Sequence, residues 1–133
     1  MVLNSIGKRK TAKARATLKE DGEGKLRINK KPLSAWTRTS KLRIQEPIRI
    51  AGDLFEQVDI SVKVNGGGIQ SQAEAVRMSI ARALAEYSEG DALRQKFLDY
   101  DRHLLVEDYR RTETRKPSQS SKGARHKQQK SYR

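Results

Sequence analysis

The residues best suited to chemistry in this chain are basic, and they lie in two groups far apart in the sequence. A guanidinium group can bind a phosphate through two parallel hydrogen bonds, and a lysine ammonium group can bind one as a point charge. The first group consists of Lys8, Arg9, Lys10, Lys13 and Arg15. The second group consists of Arg110, Arg111, Arg115, Lys116, Lys122, Arg125, Lys127, Lys130 and Arg133. Phosphate binding is therefore the first chemistry that the sequence predicts.

The second basic group lies in a segment, Tyr109 to Arg133, that has almost nothing to bury. No Leu, Ile, Val, Phe or Trp follows Val106. Ordering a backbone costs roughly 1–2 kcal/mol per residue, so we expect this segment to order only against an anionic partner. Tyr132 adds a ring that can stack on a base beside its basic neighbours. The composition thus divides the chain into a folded domain at 1–108 and an extended basic C-terminal tail at 109–133.

The net charge indicates what kind of partner the basic groups meet. The 133 residues include 29 Lys and Arg against 16 Asp and Glu, which gives +13 at pH 7. A run of charge on an ordinary protein is usually a solvated surface, but a field of this size attracts polyanions and repels copies of the same chain. The sequence has no RNP aromatic signature, zinc finger or heptad zipper. We therefore expect a monomer that binds structured RNA by shape and backbone contacts.

The other residue types give no support to an enzyme or a metal site. Cysteine is absent, and His103 and His126 have no carboxylate or cysteine at metal-ligand spacing. His126 is better interpreted as another donor in the tail. An acidic cluster consists of Asp99, Asp101, Glu107 and Asp108. Without a recognisable nucleophile, we expect these carboxylates to solvate the surface or to pair with Arg110 and Arg111. We predict no cofactor, no metal and no small-molecule substrate.

Three consecutive glycines, Gly66, Gly67 and Gly68, precede a predicted helix. Backbone N–H groups at such a position can bind an anion. The nucleotide motifs fail, because a P-loop needs Lys-Ser/Thr after its last glycine and Ile69 follows here. Two interpretations stay open: a contact to an RNA phosphate through Gly67 and Gly68, or a turn with a purely conformational role.

The elements around these residues predict an α+β domain. Val58 to Asn65 and Thr11 to Lys19 alternate with period two, which is typical of half-buried strands. The loop from Asp21 to Gly24 predicts that the earlier strand forms a hairpin with a strand at Leu26 to Ile28. We expect a mixed sheet with helices packed on one face.

The helices have their own signals. Ser71 and Glu74 form a capping box before an apolar stripe, which predicts a helix with Arg82 and Glu86 on its solvent side and its end at Gly90. The stripe comprises Ala73, Val76, Ile80, Ala83, Leu84 and Tyr87. The segment from Leu33 to Gln45 is predicted to form one helix or two short ones, ending before Pro47. A third begins at Asp91 and carries Leu93, Phe97 and Leu98, and His103 to Val106 suggests a short strand.

The N-terminal residues lack the apolar run of a signal peptide, and no window of the sequence approaches the length of a membrane span. Together with the absence of cysteine, this pattern favours a cytoplasmic protein that contacts no membrane.

Four separated motifs resemble a known family. They are Gly7-Lys-Arg-Lys-Thr-Ala-Lys-Ala-Arg-Ala16, Asn65-Gly-Gly-Gly68, Gln72-Ala-Glu-Ala-Val-Arg77 with Ile80-Ala-Arg-Ala-Leu84, and the terminal Lys130-Ser-Tyr-Arg133. In this order they resemble the family of the ninth protein of the small ribosomal subunit, and the ending resembles its archaeal and eukaryotic branch. The resemblance spans nearly the whole chain.

The resemblance implies a fold, a location and partners. The implied fold is like the second domain of the fifth small-subunit ribosomal protein, with a left-handed βαβ crossover. Right-handed crossovers hold in about 98% of cases, so periodicity alone does not predict this one. The implied location is the head of the small subunit, bound to rRNA of the 3′ major domain and beside neighbouring head proteins. The tail of this family reaches the anticodon stem-loop of the peptidyl-site tRNA.

Carried onto this sequence, the family's contacts fall on two sets of residues. The rRNA contacts would be made by Lys8, Arg9, Lys10, Lys13, Arg15, Gly67, Gly68, Arg77, Arg110, Arg111, Arg115, Lys116, Lys122, Arg125 and Lys127. The tRNA contacts would be made by Lys130, Tyr132 and Arg133. A structural ribosomal protein is the leading hypothesis, and a free RNA-binding chaperone or regulator that uses the same surfaces is the alternative.

Overall fold

The computed structural model of the chain describes residues 2–88 and 91–106. Five strands lie at Val2–Arg9 (β1), Ala12–Glu20 (β2), Leu26–Ile28 (β3), Lys31–Pro32 (β4) and Val58–Asn65 (β5). Three helices lie at Arg38–Ala51 (α1), Ile69–Tyr87 (α2) and Ala92–Tyr100 (α3). Short 3₁₀ turns lie at Leu33–Ala35, Gly52–Gln57 and Arg102–Leu104. This order confirms the predicted α+β class.

The sheet is mixed, and its strands run in the order β1-β2-β5-β3-β4. The pair β3–β5 is parallel, and the other neighbours are antiparallel. The alternation predicted for β2 and β5 is confirmed, because Ala12, Ala14, Ala16 and Leu18 are buried together with the four apolar residues of β5. Helix α2 covers this apolar face of the sheet, and no helix among the described residues covers the opposite face.

The predicted hairpin between the strands at 11–19 and 26–28 is wrong, because β5 lies between them. The loop from Asp21 to Lys25 does not turn back on β2 but runs across the start of β5. Its backbone N–H groups at Gly22 and Gly24 donate to the carbonyls of Gln57 and Val58 at 3.0 and 3.1 Å. Asp59 Oδ1 accepts two further N–H groups of the loop, both at 3.0 Å. These bonds carry the chain past β5 to its far side.

Strand β2 forms its hairpin with β1 instead, and the period-two pattern did not predict β1. Its inward positions include Ser5 and Gly7 rather than a row of apolar residues. Gly7 is required because a Cβ there would lie 2.1 Å from the Ala75 carbonyl oxygen of α2. Lys10, in the two-residue turn, adopts a left-handed φ of 53°. Close helix packing, not hydrophobic alternation, therefore accounts for the residues of β1.

Helix α1 continues through Pro47 instead of ending before it, so the predicted end is wrong. A proline inside a helix removes one backbone hydrogen bond and disfavours the helical conformation of the residue before it. Here Pro47 lies on the face of α1 that is buried, together with Ile44. Burial of this face offsets the lost bond, and the helix ends instead at Gly52, where φ is +62°.

Helix α2 begins at Ile69, two residues before the predicted cap at Ser71. Gly68 occupies the N-cap position, and Ser71 lies inside the helix, so the predicted capping box is wrong. The predicted stripe is confirmed, with Tyr87 half-buried at its end. The buried surface of α2 is wider than the predicted stripe, because α1, β1 and β2 all pack against this helix. Ala75, Ser79 and Ala81 are therefore buried too.

The last described segment consists of α3 and a short 3₁₀ turn, with extended backbone at Asp101 between them. Asp91 occupies the predicted N-cap position of α3, but its side chain makes no capping hydrogen bond. Leu93 and Phe97 are buried, and Leu98 is exposed. The strand predicted at His103 to Val106 is wrong: a 3₁₀ turn forms there because the Asp101 side chain accepts the His103 N–H at 2.9 Å. Helix α2 ends at Tyr87, with Ser88 at its C-cap, so the end predicted at Gly90 comes three residues too late; Gly90 itself lies outside the described residues. Within residues 2–88 and 91–106, no helix is long and apolar enough to cross a membrane.

Candidate nucleic-acid interface

The open face of the sheet carries a concentration of positive charge. Because side chains alternate along a strand, the residues between the buried ones of β1, β2, β3 and β5 all project on this side. Its basic residues are Lys8, Lys13, Arg15, Lys19, Arg27 and Lys63. Among the described strand residues, Asp59 is the only carboxylate on this side. We call these six basic residues the basic face.

The register of the strands brings like charges directly opposite each other. Lys8 is paired with Lys13 across β1 and β2, and Arg15 is paired with Lys63 across β2 and β5. Neighbouring strands are about 4.8 Å apart, and like charges in such pairs destabilise a sheet. Within the part of the chain that the structure describes, Lys13, Arg15 and Lys63 form no ion pair. An anionic partner would relieve this repulsion.

Asp59 lies at the other end of the basic face, opposite Lys19. Hydrogen bonds from the backbone N–H groups of Lys25 and Glu23 hold the pKa of Asp59 below its ordinary value. The carboxylate is therefore charged at neutral pH and engaged with the loop before β3. The positive field is consequently strongest at the opposite end, where the Lys8–Lys13 and Arg15–Lys63 pairs lie.

The first basic group of the sequence does not stay together in the structure. Lys8, Lys13 and Arg15 belong to the basic face, and Lys10 is exposed in the turn between β1 and β2. Arg9 points to the helix side of the sheet, where its Nε lies 2.7 Å from Glu74 Oε2. The alternation of β1 thus separates Arg9 from the basic residues on either side of it.

Arg9 belongs to an ion-pair cluster beneath the sheet. Glu74 of α2 also accepts from Arg43 Nη1 of α1 at 2.7 Å. One turn further along α2, Arg77 lies between two other carboxylates, with Glu46 at 2.9 Å and Asp101 at 2.6 Å. We call these residues the ion-pair cluster: Arg9, Arg43, Glu46, Glu74, Arg77 and Asp101. It joins β1, α1, α2 and the end of α3.

Arg77 is the residue whose placement differs most from the sequence-based prediction. Its side chain is only 10% exposed, and its guanidinium group lies between Glu46 and Asp101. Burial opposes the ionisation of Asp101, but hydrogen bonds from Arg77 and from the His103 N–H outweigh it and keep the pKa of Asp101 below its ordinary value. The structure does not place Arg77 with the exposed basic residues. Asp101, which we expected to solvate the surface or pair with the tail, pairs with Arg77.

Arg82 is a structural residue that the sequence interpretation missed. The helical stripe placed it on the solvent side, yet it is half-buried. Its Nη1 donates to the Ile6 carbonyl at 2.8 Å, and its Nε donates to the Leu105 carbonyl at 3.0 Å. It therefore satisfies a backbone acceptor of β1, which is at the edge of the sheet, and holds the last described residues against α2.

The three glycines separate into two roles. Gly66 and Gly67 have φ values of +77° and +66°, and a Cβ at Gly66 would lie 2.5 Å from the Thr11 carbonyl oxygen. The conformational interpretation accounts for both. Gly68 differs, because a Cβ added there would meet no described atom within 4 Å. Gln72 Nε2 donates to the Gly66 carbonyl at 3.1 Å and steadies the loop. Contact of Gly67 and Gly68 with RNA phosphate stays a prediction.

The other predicted site residues lie in the tail or near the end of α3. All predicted contacts from Arg110 to Arg133, together with His126, lie outside the described residues. His103 lies on the 3₁₀ turn with its Nδ1 3.3 Å from the Val106 carbonyl. Within the described ranges, no group of three His, Cys, Asp or Glu residues could hold a metal ion. The sequence did not identify Lys19, Arg27 and Lys63 as RNA-binding residues, and only the register of the strands unites them with Lys13 and Arg15.

Comparison with known proteins agrees with the family resemblance. The family model described as "Ribosomal protein S9/S16" matches residues 7–133. The chain is 51% identical over 133 residues to small ribosomal subunit protein uS9 of Methanococcus maripaludis strain C5, covering 99% of this chain and 98% of that protein. It is 49% identical, with the same coverage, to small ribosomal subunit protein uS9 of Methanococcus vannielii. The chain therefore belongs to the ribosomal protein S9/S16 family, whose members are structural, non-enzymatic proteins of the small ribosomal subunit.

Proposed function

We propose that this protein helps to build the head of the small ribosomal subunit by binding rRNA of the 3′ major domain. The observation that carries the proposal is the basic face, where like charges lie opposite one another in the register of the sheet. Such an arrangement costs stability in the isolated protein and is relieved by a row of phosphates. Lys8, Lys13 and Arg15 contact rRNA in this proposal, and Lys19, Arg27 and Lys63 join them.

The recognition proposed here is of shape and backbone rather than sequence. Contacts to phosphates fix the position of a protein on RNA but carry no sequence information. Double-stranded RNA is bound mostly in this way, because side chains cannot reach the bases in its deep, narrow major groove. A sheet face that carries six cations on adjoining strands is suited to such contacts. Lys10 and the backbone of Gly67 and Gly68 lie in the two loops at the Lys8–Lys13 end of this sheet and extend the same surface.

Arg9 and Arg77 support this interface indirectly. Both belong to the ion-pair cluster, and in our proposal they hold β1 and the segment after α3 against α2. Arg82 does the same through the carbonyls of Ile6 and Leu105. These contacts fix the last described residues, after which the sequence continues into the basic tail. The folded domain at 1–108 would thereby set the direction in which the tail at 109–133 leaves it.

The tail is proposed to serve two partners. Its proximal residues, from Arg110 to Lys127, would grip rRNA, and Lys130, Tyr132 and Arg133 would contact the anticodon stem-loop of the peptidyl-site tRNA. Contacts to phosphate suit this site because it holds tRNAs of different sequence alike. Neighbouring head proteins are further partners, and the protein acts on the ribosome in the cytoplasm as a single copy. We also propose a fold like the second domain of the fifth small-subunit protein, with a left-handed crossover from β3 through α1 to β5.

Cosedimentation tests the assembly role. Tagged full-length protein is expected to stay with small subunits in stoichiometric amount after a high-salt wash. Nonspecific phosphate binding weakens by roughly 10³- to 10⁵-fold between 50 and 200 mM salt when six to ten phosphates are contacted, so the wash removes protein that is held by charge alone. Loss of the protein into the soluble fraction would favour the free RNA chaperone or regulator instead.

Truncation tests the tail. Removing Lys130 to Arg133 is expected to leave incorporation into small subunits unchanged and to weaken retention of tRNA in the peptidyl site, because the removed cations would neutralise tRNA phosphates. Retention is measured by filter binding of labelled tRNA to washed small subunits. Replacing Arg94 and Lys96, which are exposed on α3, by alanine provides a control that removes two positive charges outside the tail. Full tRNA retention by assembled particles that lack Lys130 to Arg133 would refute the proposed tRNA contact.

A further inference from the structure

A pocket of about 290 Å³ lies between the end of β3 and the first turn of α2. Its walls are apolar and come from Ile28, Trp36 and Ile69. Its rim is polar and comes from Lys31, Thr37 and Gln72. Small-molecule sites usually measure roughly 300–1,000 Å³. This pocket is therefore of a size to hold one flat ring system rather than a whole cofactor.

One of the apolar walls of the pocket, Ile69, is largely exposed, whereas Ile28 is buried. Ile69 is 59% exposed, the largest value among the exposed large apolar side chains of the described residues. Trp36 is the only tryptophan of the chain, and it is half-buried against the core with part of its ring left open. Apolar surface in water is unfavourable in proportion to its area, so covering this pair of side chains would be favourable.

Hydrogen bonds made by the residues that line the pocket hold it in shape. The Asn29 side chain accepts from the Val64 N–H at 2.9 Å and donates to the Val64 carbonyl at 3.0 Å. The Gln72 side chain donates to the Gly66 carbonyl, and the backbone N–H of Trp36 donates to the Leu33 carbonyl at 3.1 Å. A site formed in advance loses little conformational entropy when a ligand binds.

The charge around the pocket selects the kind of ligand. Of the described residues that line it, one is basic, Lys31, and none is acidic. Its exposed sequence neighbours Lys30 and Arg38 add two further cations. The pocket thus combines an apolar slot with a cationic rim. An unpaired nucleotide has the complementary pattern, because a flat base is attached to an anionic backbone.

We propose that this pocket binds one unpaired nucleobase of RNA between Trp36 and Ile69. The inference rests on the proposed RNA-binding function and adds a second mode of contact to it. The base stacks on the indole ring, its edge meets the polar groups of Thr37 and Gln72, and its phosphate lies toward Lys31. An apolar side chain of a neighbouring protein would also fill the slot, but it would make no use of the three cations.

Trp36 is the only tryptophan of the chain, so its fluorescence reports directly on the occupancy of the pocket. Fluorescence of Trp36 is followed while the full-length protein is titrated with a single-stranded adenine oligoribonucleotide of about twelve residues. The matched control is an abasic ribose-phosphate chain of the same length, which has the same charge. We expect the oligonucleotide to quench Trp36 fluorescence and the abasic chain to bind without comparable quenching, because only a base can enter the slot.

Substitutions locate the site independently of fluorescence. Ile69→Ser is expected to weaken oligonucleotide binding at least threefold in fluorescence anisotropy with labelled RNA. Leu42→Ser, which removes an apolar residue that is 45% exposed on α1, is expected to leave binding unchanged. Trp36→Leu is expected to weaken binding by roughly 5- to 150-fold, the range that base–aromatic stacking spans. Since Trp36 also contacts the core, Trp36→Phe, which keeps a ring, is expected to restore most of the affinity.

The outcomes separate this inference from the function on which it rests. Equal quenching by the abasic chain, or equal binding by the Ile69→Ser and Leu42→Ser variants, would overturn the base pocket while leaving phosphate binding in place. A response of Trp36 only after other ribosomal proteins are added would also overturn it, because the occupant would then be a protein. Failure of either chain to bind at low salt would instead refute RNA binding itself.

Discussion

The basic face and the ion-pair cluster lie on opposite sides of the sheet, and each contains several basic residues. Lys8 and Arg9 are adjacent in sequence, yet Lys8 stands opposite Lys13 on the open side and Arg9 meets Glu74 on the helix side. In the cluster, three arginines are paired with three carboxylates at 2.6–2.9 Å. On the basic face, charge is left for a partner. The contrast teaches that the role of a cation is decided by whether a carboxylate of another element lies within reach.

The largest effect is expected from breaking the cluster at its most buried member. Arg77→Ala leaves Glu46 and Asp101 without their shared cation, and breaking a buried pair costs about 3–5 kcal/mol. Because Asp101 is 36% exposed, we expect the lower end, about 3 kcal/mol of unfolding free energy. Urea denaturation measures it. Arg49→Ala, on the exposed side of α1, is the control and is expected to change stability by less than about 0.5 kcal/mol. Equal small changes in both variants would contradict a stabilising cluster.

Removing charge from the basic face is expected to lower RNA affinity while leaving the stability of the fold unchanged or slightly raised. The triple change of Lys13, Arg15 and Lys63 to alanine should lower affinity for rRNA of the head at least about tenfold. It should also make the slope of log affinity against log salt shallower by about 2–3, since each lost phosphate contact removes about 0.7–0.9. Stability should be unchanged or slightly raised, because like charges are removed.

The control for this triple variant carries the same charge change elsewhere. Arg49, Arg94 and Lys96 are exposed on α1 and α3, away from the basic face. Their replacement by alanine should lower RNA affinity much less than the change on the basic face. Filter binding over a range of salt concentrations measures both. Equal losses in the two triple variants would mean that net charge, not the surface, determines binding.

A charge reversal converts one like-charge pair of the basic face into an ion pair, similar to those of the ion-pair cluster. Lys63→Glu places a carboxylate directly opposite Arg15. Opposite charges in such cross-strand pairs contribute roughly 0.2–1 kcal/mol, so unfolding free energy should rise by up to about 1 kcal/mol relative to Lys63→Ala. RNA affinity should fall below that of Lys63→Ala. A thermal melt and a binding curve for the two variants are sufficient. A variant that loses both stability and affinity would argue against the register-based interpretation.

The smallest expected effect is a pH dependence of stability that arises from Asp101 in the ion-pair cluster. The pKa of Asp101 is lowered in the folded protein from an ordinary value of 3.8. A lowered carboxyl pKa stabilises the fold above the unfolded-state pKa, and that contribution is lost as pH falls through the folded pKa. The stability difference between wild type and Asp101→Asn should therefore be constant above about pH 5 and shrink below about pH 4. Denaturant melts at several pH values measure it, and a difference that grows toward low pH would contradict this sign.

Local patterning was sufficient for several elements. The period-two alternation of β2 and β5, the apolar stripe of α2 and the apolar spacing of α3 follow from the chain alone, because each depends on residues within one element. Four motifs and a charge of +13 were also sufficient to indicate the family and an anionic partner. Pro47 shows the limit. Its local effect is to end a helix, and only the burial of the ring between elements explains why α1 continues to Ala51.

What the sequence determined by itself is the side of each strand or helix on which a residue lies, since that depends only on the geometry of one element. Which elements become neighbours was decided by the tertiary structure. It inserted β5 between β2 and β3, joined Lys63 to Arg15, and moved Glu74 from a predicted cap to a pair with Arg9 and Arg43. The physical reason is that a loop such as that at Asp21 to Lys25 can turn back or cross over, and its hydrogen bonds to distant residues of β5 settle the choice.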